Sequence, residues 1–210
     1  PSGELGNYIN CGGGKNEGEP NTWADITGEI TVTAWVKPDF QYWWSNYGPI
    51  VCKAIEESWE MRKSRSNESN PEGVSFYVNV PDIPWYGVGC STDVFDYKWH
   101  HIAGVYEIYE LGVSSEVIVY TDGAKEGSLA CSGSPIVTND SNVTIGDEDV
   151  FGGPVIPEAL GWPGLIDDVR IYDRALSHAE IFGIMKEATV GPLASYEFET
   201  ETGGITPDSS

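Results

Sequence analysis

A period of two governs this sequence. Val74, Phe76, Val78 and Val80 fall on one side of an extended chain, and Ser75, Tyr77 and Asn79 fall on the other. The same β-rich character recurs in Thr31-Val32-Thr33-Ala34-Trp35-Val36, which the breaker Pro38 follows, and in His101-Ile102-Ala103-Gly104-Val105-Tyr106. It continues through Val117-Ile118-Val119-Tyr120, Val143-Thr144-Ile145 and Leu165 to Tyr172. Successive side chains of a strand point to opposite faces, so a chain written this way buries one face of each strand by stacking sheets. Asp122-Gly123 directly after Val117–Tyr120 is a hairpin signal, because the tight turn needs positive φ. The pattern predicts an all-β fold of two packed antiparallel sheets. One short helix stands near the end. Ser177 caps it with Glu180 completing a capping box, and Ile181, Ile184 and Met185 form an apolar stripe suited to packing on the sandwich flank.

With 210 residues the chain can bury one sizeable core, and its 25 glycines and 13 prolines are scattered as turn residues rather than gathered into a low-complexity tract. No run approaches the roughly 18 apolar residues of a membrane span. The chain opens at Pro1 without a charged-then-apolar segment, so an export signal is expected upstream or already removed. Acidic residues outnumber basic ones 33 to 11, a formal net charge of −22. Such a surface repels phosphate backbones, which makes nucleic acid and anionic membrane poor partners, and no nucleic-acid partner is expected. It offers oxygens of the kind Ca2+ takes, although most of these acids, the loop cluster Asp147-Glu148-Asp149 included, read as solvated surface. Cys11, Cys52, Cys90 and Cys131 form no C-x-x-C pair and have no histidine close in sequence, so zinc and redox motifs are unsupported. Their wide spacing favours one or two disulfides and an oxidising compartment, with the pairing left open.

Several segments read together resemble a known family. Trp99-His100-His101-Ile102-Ala103-Gly104-Val105-Tyr106, the Tyr120-Thr121-Asp122-Gly123 hairpin and the long block from Gly164 to Ser177 resemble the LamG-like jelly-roll domain of the concanavalin A-like kind. Ile30 to Pro38 looks like an early strand of the same family. The resemblance implies a jelly-roll sandwich, secretion or display at the cell surface, frequent bound calcium, and binding of carbohydrate or protein. It implies Asp167 as a structural calcium ligand, with Asp208 as a second candidate; Arg170 or backbone amides would serve the Asp167-Asp168 pair equally well. Strand alternation predicts that these two carboxylates point to opposite faces. The ends depart from the family pattern. An opening strand of the form aliphatic-x-Tyr/Trp-x-Phe-acid is missing at the start and occurs at the finish, as Leu193-Ala194-Ser195-Tyr196-Glu197-Phe198-Glu199 leading to Asp208-Ser209-Ser210. The reading is a LamG-like domain over 1–191 and, over 192–210, a strand resembling the start of a following repeat that completes the same sandwich.

Candidate binding residues come from the aromatics. Trp35, Trp59 and Trp99 lie in strand patterns and read as core. Trp43 and Trp44, with Tyr47 nearby, lie in a turn-rich loop, and Trp85 and Tyr86 follow Pro84 in another. Rings on loops offer flat apolar faces that stack on sugar rings, or else pack as lids over the sandwich edge. His100 and His101 are consecutive on a strand, so at most one is expected to face the core, and His178 reads as an exposed helix residue. Hydrolases on such sandwiches resemble one another in a Glu-x-Asp-x-x-Glu strand that spaces two carboxylates for acid and nucleophile. No such string occurs here, nor G-x-S-x-G, H-E-x-x-H or a phosphate loop. The sequence points to a non-catalytic, lectin-like module whose partner is a polysaccharide or glycan. The alternative is a structural or adhesive repeat whose contacts are with neighbouring repeats of the same protein.

Overall fold

A computed structural model describes residues 8–14, 22–38, 48–54, 57–64, 70–81, 83–147 and 161–188, with the backbone alone for 83–86 and 188. Among them the alternating segments become strands β1 (Ile9–Gly12), β2 (Ile30–Pro38), β3 (Pro49–Lys53), β4 (Trp59–Lys63), β5 (Val74–Val80) and β6 (Ile83–Gly89). The series continues with β7 (His100–Glu110), β8 (Ser114–Thr121), β9 (Ala124–Cys131), β10 (Val143–Ile145) and β11 (Gly164–Tyr172), and ends in helix α1 (His178–Ala188). Six strands form one sheet in the order β1-β10-β3-β4-β5-β6 and five form the other in the order β11-β2-β7-β8-β9. Every neighbouring pair is antiparallel. This is the predicted two-sheet sandwich with its flanking helix.

The period of two decides what lies between the sheets. Ile30, Val32, Ala34 and Val36 of β2 share one core with Met61, Phe76, Val78, Ile102, Val117 and Val119. Gly104 belongs to the fit. A Cβ there would stand 2.2 Å from Cγ of Phe76 in the opposite sheet, so glycine is what lets that ring seat. The other face of the five-stranded sheet carries Ala103, Val105, Ile118 and Tyr120, which pack with Leu176, Ile181 and Ile184 in a second core beneath α1. The capping box forms as expected: the Ser177 amide and hydroxyl donate to Glu180 Oε2, each at 2.8 Å, and the Glu180 amide returns to Ser177 Oγ. Among the described residues no helix is long and apolar enough to cross a membrane.

Several expectations change. All four cysteines are free thiols, and two of them, Cys52 and Cys90, are buried in the sandwich with weak hydrogen bonds to Thr144 Oγ1 and from the Val74 amide. Asp147 is buried rather than solvated. Trp59 is core, but Trp99 is 40% exposed, because it precedes β7 instead of lying within it. Both histidines are buried: His101 lies edge-on to the Trp35 ring, and His100 is enclosed between Asp96 and Asp122. Asp167 and Asp168 do not simply alternate. The register of β11 on β2 shifts between Asp167 and Arg170, and Asp168 takes φ +46°. Pro84 does not hold Trp85 and Tyr86 in a loop, since their backbone belongs to β6, an edge strand where a missing N–H is tolerated.

Candidate functional site

The six-stranded sheet turns away from the core a face made of polar groups. Trp59 and Met61 of β4 point inward, so Glu60 and Arg62 between and beyond them point outward. Glu60 stands opposite Cys52 of β3 and Tyr77 of β5, and Cys52 in turn opposite Thr144 of β10. Arg62 stands opposite Ser75, which faces Gly89 of β6. Thr144, Glu60, Tyr77, Arg62 and Ser75 thus share one face with the Cys52 thiol, and β6 sets glycines Gly87 and Gly89 beside them.

Short bonds link groups on this face. Arg62 Nε donates to Glu60 Oε1 at 2.8 Å and an Arg62 terminal nitrogen donates to the Lys63 carbonyl at 2.8 Å. The guanidinium carbon sits 4.2 Å from the centroid of the Tyr77 ring, a cation–π stack. Ser64 and Ser75 hydroxyls share a 2.8 Å bond. Gly87 leaves room for the Tyr77 ring, since a Cβ there would lie 1.9 Å from Tyr77 Cδ1. Arg62 and Glu60 are enclosed, and a buried ion pair recovers its desolvation cost only with good geometry and further hydrogen bonds. At one end of the sheet, Asn79 Nδ2 donates to the Glu57 carbonyl at 3.1 Å and Asn139 Nδ2 to Glu57 Oε2 at 3.2 Å, giving an exposed amide and carboxylate rim. The guanidinium and the hydroxyls of this face are buried, so the groups within reach of a polyhydroxylated ligand are the half-buried Tyr77 ring and the amides and carboxylate of the rim.

Of the residues singled out from sequence, Trp43, Trp44, Tyr47 and Asp208 lie outside the described residues. Trp85 and Tyr86 belong to β6 at the edge of this same sheet, with Tyr86 opposite Val78. Asp167 lies on β11, the edge of the other sheet, opposite Trp35. The fold does not bring it to the aromatics. Its Oδ1 accepts the Asp168 amide at 2.8 Å, and burial, with the Asp168 charge adding, pushes its carboxyl above the usual range. Asp168 is held by Arg170 through both oxygens, at 2.8 and 3.0 Å. Calcium takes roughly six to eight oxygens. Among the described residues no group of three or more His, Cys, Asp or Glu is placed to hold a metal, so these residues alone do not supply such a shell.

Beside Asp167, the buried His101 and the half-buried Trp35 form a polar inset on the outer face of the five-stranded sheet. Among the described residues neither His101 ring nitrogen nor Trp35 Nε1 meets a hydrogen-bond partner, and desolvation pulls the His101 pKa down to about 4. Sequence reasoning missed a further pair, Tyr97 and Trp99, which stand exposed on the turn before β7. The legible signal was Asp96, two residues before Lys98 and four before His100, a spacing that allows one carboxylate to cap and bridge a turn.

A family model described as the concanavalin A-like lectin/glucanases superfamily matches residues 12–182. No curated protein matches the chain by sequence. Among solved structures, the heptameric SAP-like pentraxin of Limulus polyphemus superposes with a TM-score of 0.56 at 19% identity, covering 76% of this chain and 70% of that one. The receptor binding domain of botulinum neurotoxin D gives 0.57 at 14% identity, over 88% of this chain and 42% of that one. The binding domain of botulinum neurotoxin DC, solved in complex with SialylT, gives 0.54 at 11% identity, over 83% and 38%. The chain spans about two fifths of these toxin domains. At such identities the likeness establishes the shared fold.

Proposed function

Because this chain belongs to the concanavalin A-like lectin/glucanases superfamily, we propose that it is a non-catalytic carbohydrate-binding module of a larger secreted or surface protein. The observation that carries the reading is the outward face of the six-stranded sheet. Its enclosed Glu60–Arg62 pair and the half-buried Tyr77 ring under the guanidinium brace a polar floor, and the exposed Glu57 with the half-buried Asn79 and Asn139 at its rim are the groups a ligand can reach. The backbone of Trp85 and Tyr86 lies on β6 at the edge of that sheet, and Trp43, Trp44 and Tyr47, which precede β3 in sequence, are proposed as further stacking residues. A solved relative holding SialylT supports a glycan as the ligand class. Glu60 serves as Arg62's partner, not as one of two spaced carboxylates, which supports binding over hydrolysis.

Affinity electrophoresis against laminarin, xylan, galactomannan and starch, with calcium and with chelator, tests this. Retardation by one polymer, lost in the Trp85→Ala/Tyr86→Ala or Trp43→Ala/Trp44→Ala variant while the melting temperature holds, is the expected result. Loss of retardation under chelation would tie calcium, with Asp167 and Asp208 as its proposed ligands, to binding. Such an ion would draw its remaining oxygens from beyond the described residues. No retardation by any polymer would overturn the reading.

A second reading, an adhesive repeat that contacts neighbouring repeats, is favoured by one feature. The β7–β8 hairpin tip carries Tyr109, Leu111 and Val113, all more than half exposed, and Leu129 of β9 is exposed as well. Contiguous apolar exposure marks protein contacts. Concentration-dependent mass in sedimentation, abolished by Leu111→Asp, would favour this reading.

A further inference from the structure

The turn from Asp96 to Trp99 and the Asp122-Gly123 turn are tied into one unit at the opposite end of the sandwich from the β7–β8 hairpin tip. His100 Nδ1 bonds Asp122 Oδ2 at 2.8 Å while His100 Nε2 bonds Asp96 Oδ1 at 3.0 Å. A neutral imidazole has one donor and one acceptor, whereas an imidazolium donates to both carboxylates at once. Asp96 also accepts the Lys98 amide at 2.9 Å and pairs with its ammonium, and Asp122 Oδ1 accepts the His101 amide at 2.9 Å. Every bond of this bridge fixes backbone on either side of Tyr97 and Trp99.

What the bridge holds out is unusual. Tyr97 adopts φ +66°, a left-handed conformation that costs an aromatic residue free energy and persists only where surroundings impose it. Tyr97 is 54% exposed and Trp99 40%, so a large part of each aromatic goes without the stabilisation that burial would provide. On the far flank of the Asp122-Gly123 turn, the exposed Phe182 ring of α1 lies against Gly123, where a Cβ would stand 2.8 Å from its Cδ2. The rings alternate with Asp96, Lys98 and Asp122, and no aliphatic side chain stands among them in the 96–99 turn. An apolar peptide would be met by charge at each step. A pyranose ring has one face of C–H bonds for an aromatic and a rim of hydroxyls for carboxylates and an ammonium.

We propose that Tyr97 and Trp99, held out by the Asp96–His100–Asp122 bridge, form a second sugar-stacking subsite, separate from the outward face of the six-stranded sheet. This deepens the carbohydrate-binding reading and rests on it. The subsite accounts for a strained, exposed aromatic turn that packing does not explain.

The test uses the intact chain and whichever of laminarin, xylan, galactomannan or starch retards it. Tyr97→Ala and Trp99→Ala are expected each to weaken retardation roughly tenfold or more, the scale of truncating an aromatic contact at a binding hot spot. Tyr97 is more than half exposed and alanine keeps the same left-handed Cβ penalty, so Tyr97→Ala is expected to fold with its melting temperature nearly unchanged even where Trp99→Ala does not. Retardation undiminished in folded Tyr97→Ala overturns the subsite while leaving the module a lectin. A wild-type chain retarded by no polymer overturns both.

Discussion

His100 and His101 are adjacent, and their surroundings drive them to opposite protonation. Burial opposes charge on His100, but its bonds to Asp122 and Asp96 outweigh that cost and hold its pKa above the ordinary value. His101 has no hydrogen-bond partner among the described residues for either ring nitrogen, and desolvation outweighs the pull of Asp168 and Asp122, leaving a pKa of about 4. The stability consequences have opposite signs. The His101 contribution is complete above its unfolded pKa of roughly 6.5 and is lost as pH falls toward about 4. The His100 contribution is complete below roughly 6.5 and is lost as pH rises through its raised folded value. Urea denaturation should therefore show His101→Phe removing part of the stability loss between pH 6.5 and 4, and His100→Gln removing part of the loss on the alkaline side. Unchanged slopes in both variants would refute this pairing. The sequence revealed that two histidines sat on one strand. It did not reveal that both would be enclosed, because Asp96 and Asp122 reach His100 from two different turns.

Elements were more legible than residues wherever one period ran uninterrupted. β2, β5 and β8 and the capped helix followed from alternation and from Ser177 with Glu180. Replacing Ser177 by Ala removes a bond to the helix amides and is expected to cost about 1 kcal/mol in chemical denaturation, with no change in the sheets' circular dichroism. Legibility failed where a local rule met a tertiary exception. Pro84 suggested a loop, yet an edge strand accommodates it. The Asp167-Asp168 pair suggested simple alternation, yet a bulge turns Asp168 onto Arg170. The segment Leu193–Glu199 lies outside the described residues, while β11 ends its sheet among the described ones and leaves one edge for a further strand. If 192–210 completes the sandwich, its deletion lowers the melting temperature sharply; an unchanged melting temperature would leave it a stub with no part in the fold.

For the molecule as a whole, fold class was readable because patterning is spread over the entire chain, whereas the candidate site was only partly so. The outward row of Glu60, Arg62, Tyr77 and Ser75 gathers residues from two strands whose chemistry looks unremarkable one at a time. Register alone assembles them into one polar face. The cysteines show the reverse error, since wide spacing suggested disulfides and the sandwich instead keeps all four as thiols. A reducing agent should therefore leave the melting temperature unchanged, and a marked fall would mean that disulfides form. Net charge of −22 acts at this scale too, favouring neutral polysaccharides over sulfated or uronic ones in any binding panel.

The strand order also sets a clock. Thr31 at the start of β2 donates from its hydroxyl to the carbonyl of Arg174, 143 residues away, and β11 pairs with β2 along its length. At a synthesis rate of about 5–20 residues per second, β2 waits on the order of ten seconds for its outer neighbour to be made. Throughout that interval a nascent chain exposes an apolar, half-paired strand. Proteins with such distant pairings fold slowly and lean on chaperones, so the yield of this domain is set by what shields β2 before β11 arrives.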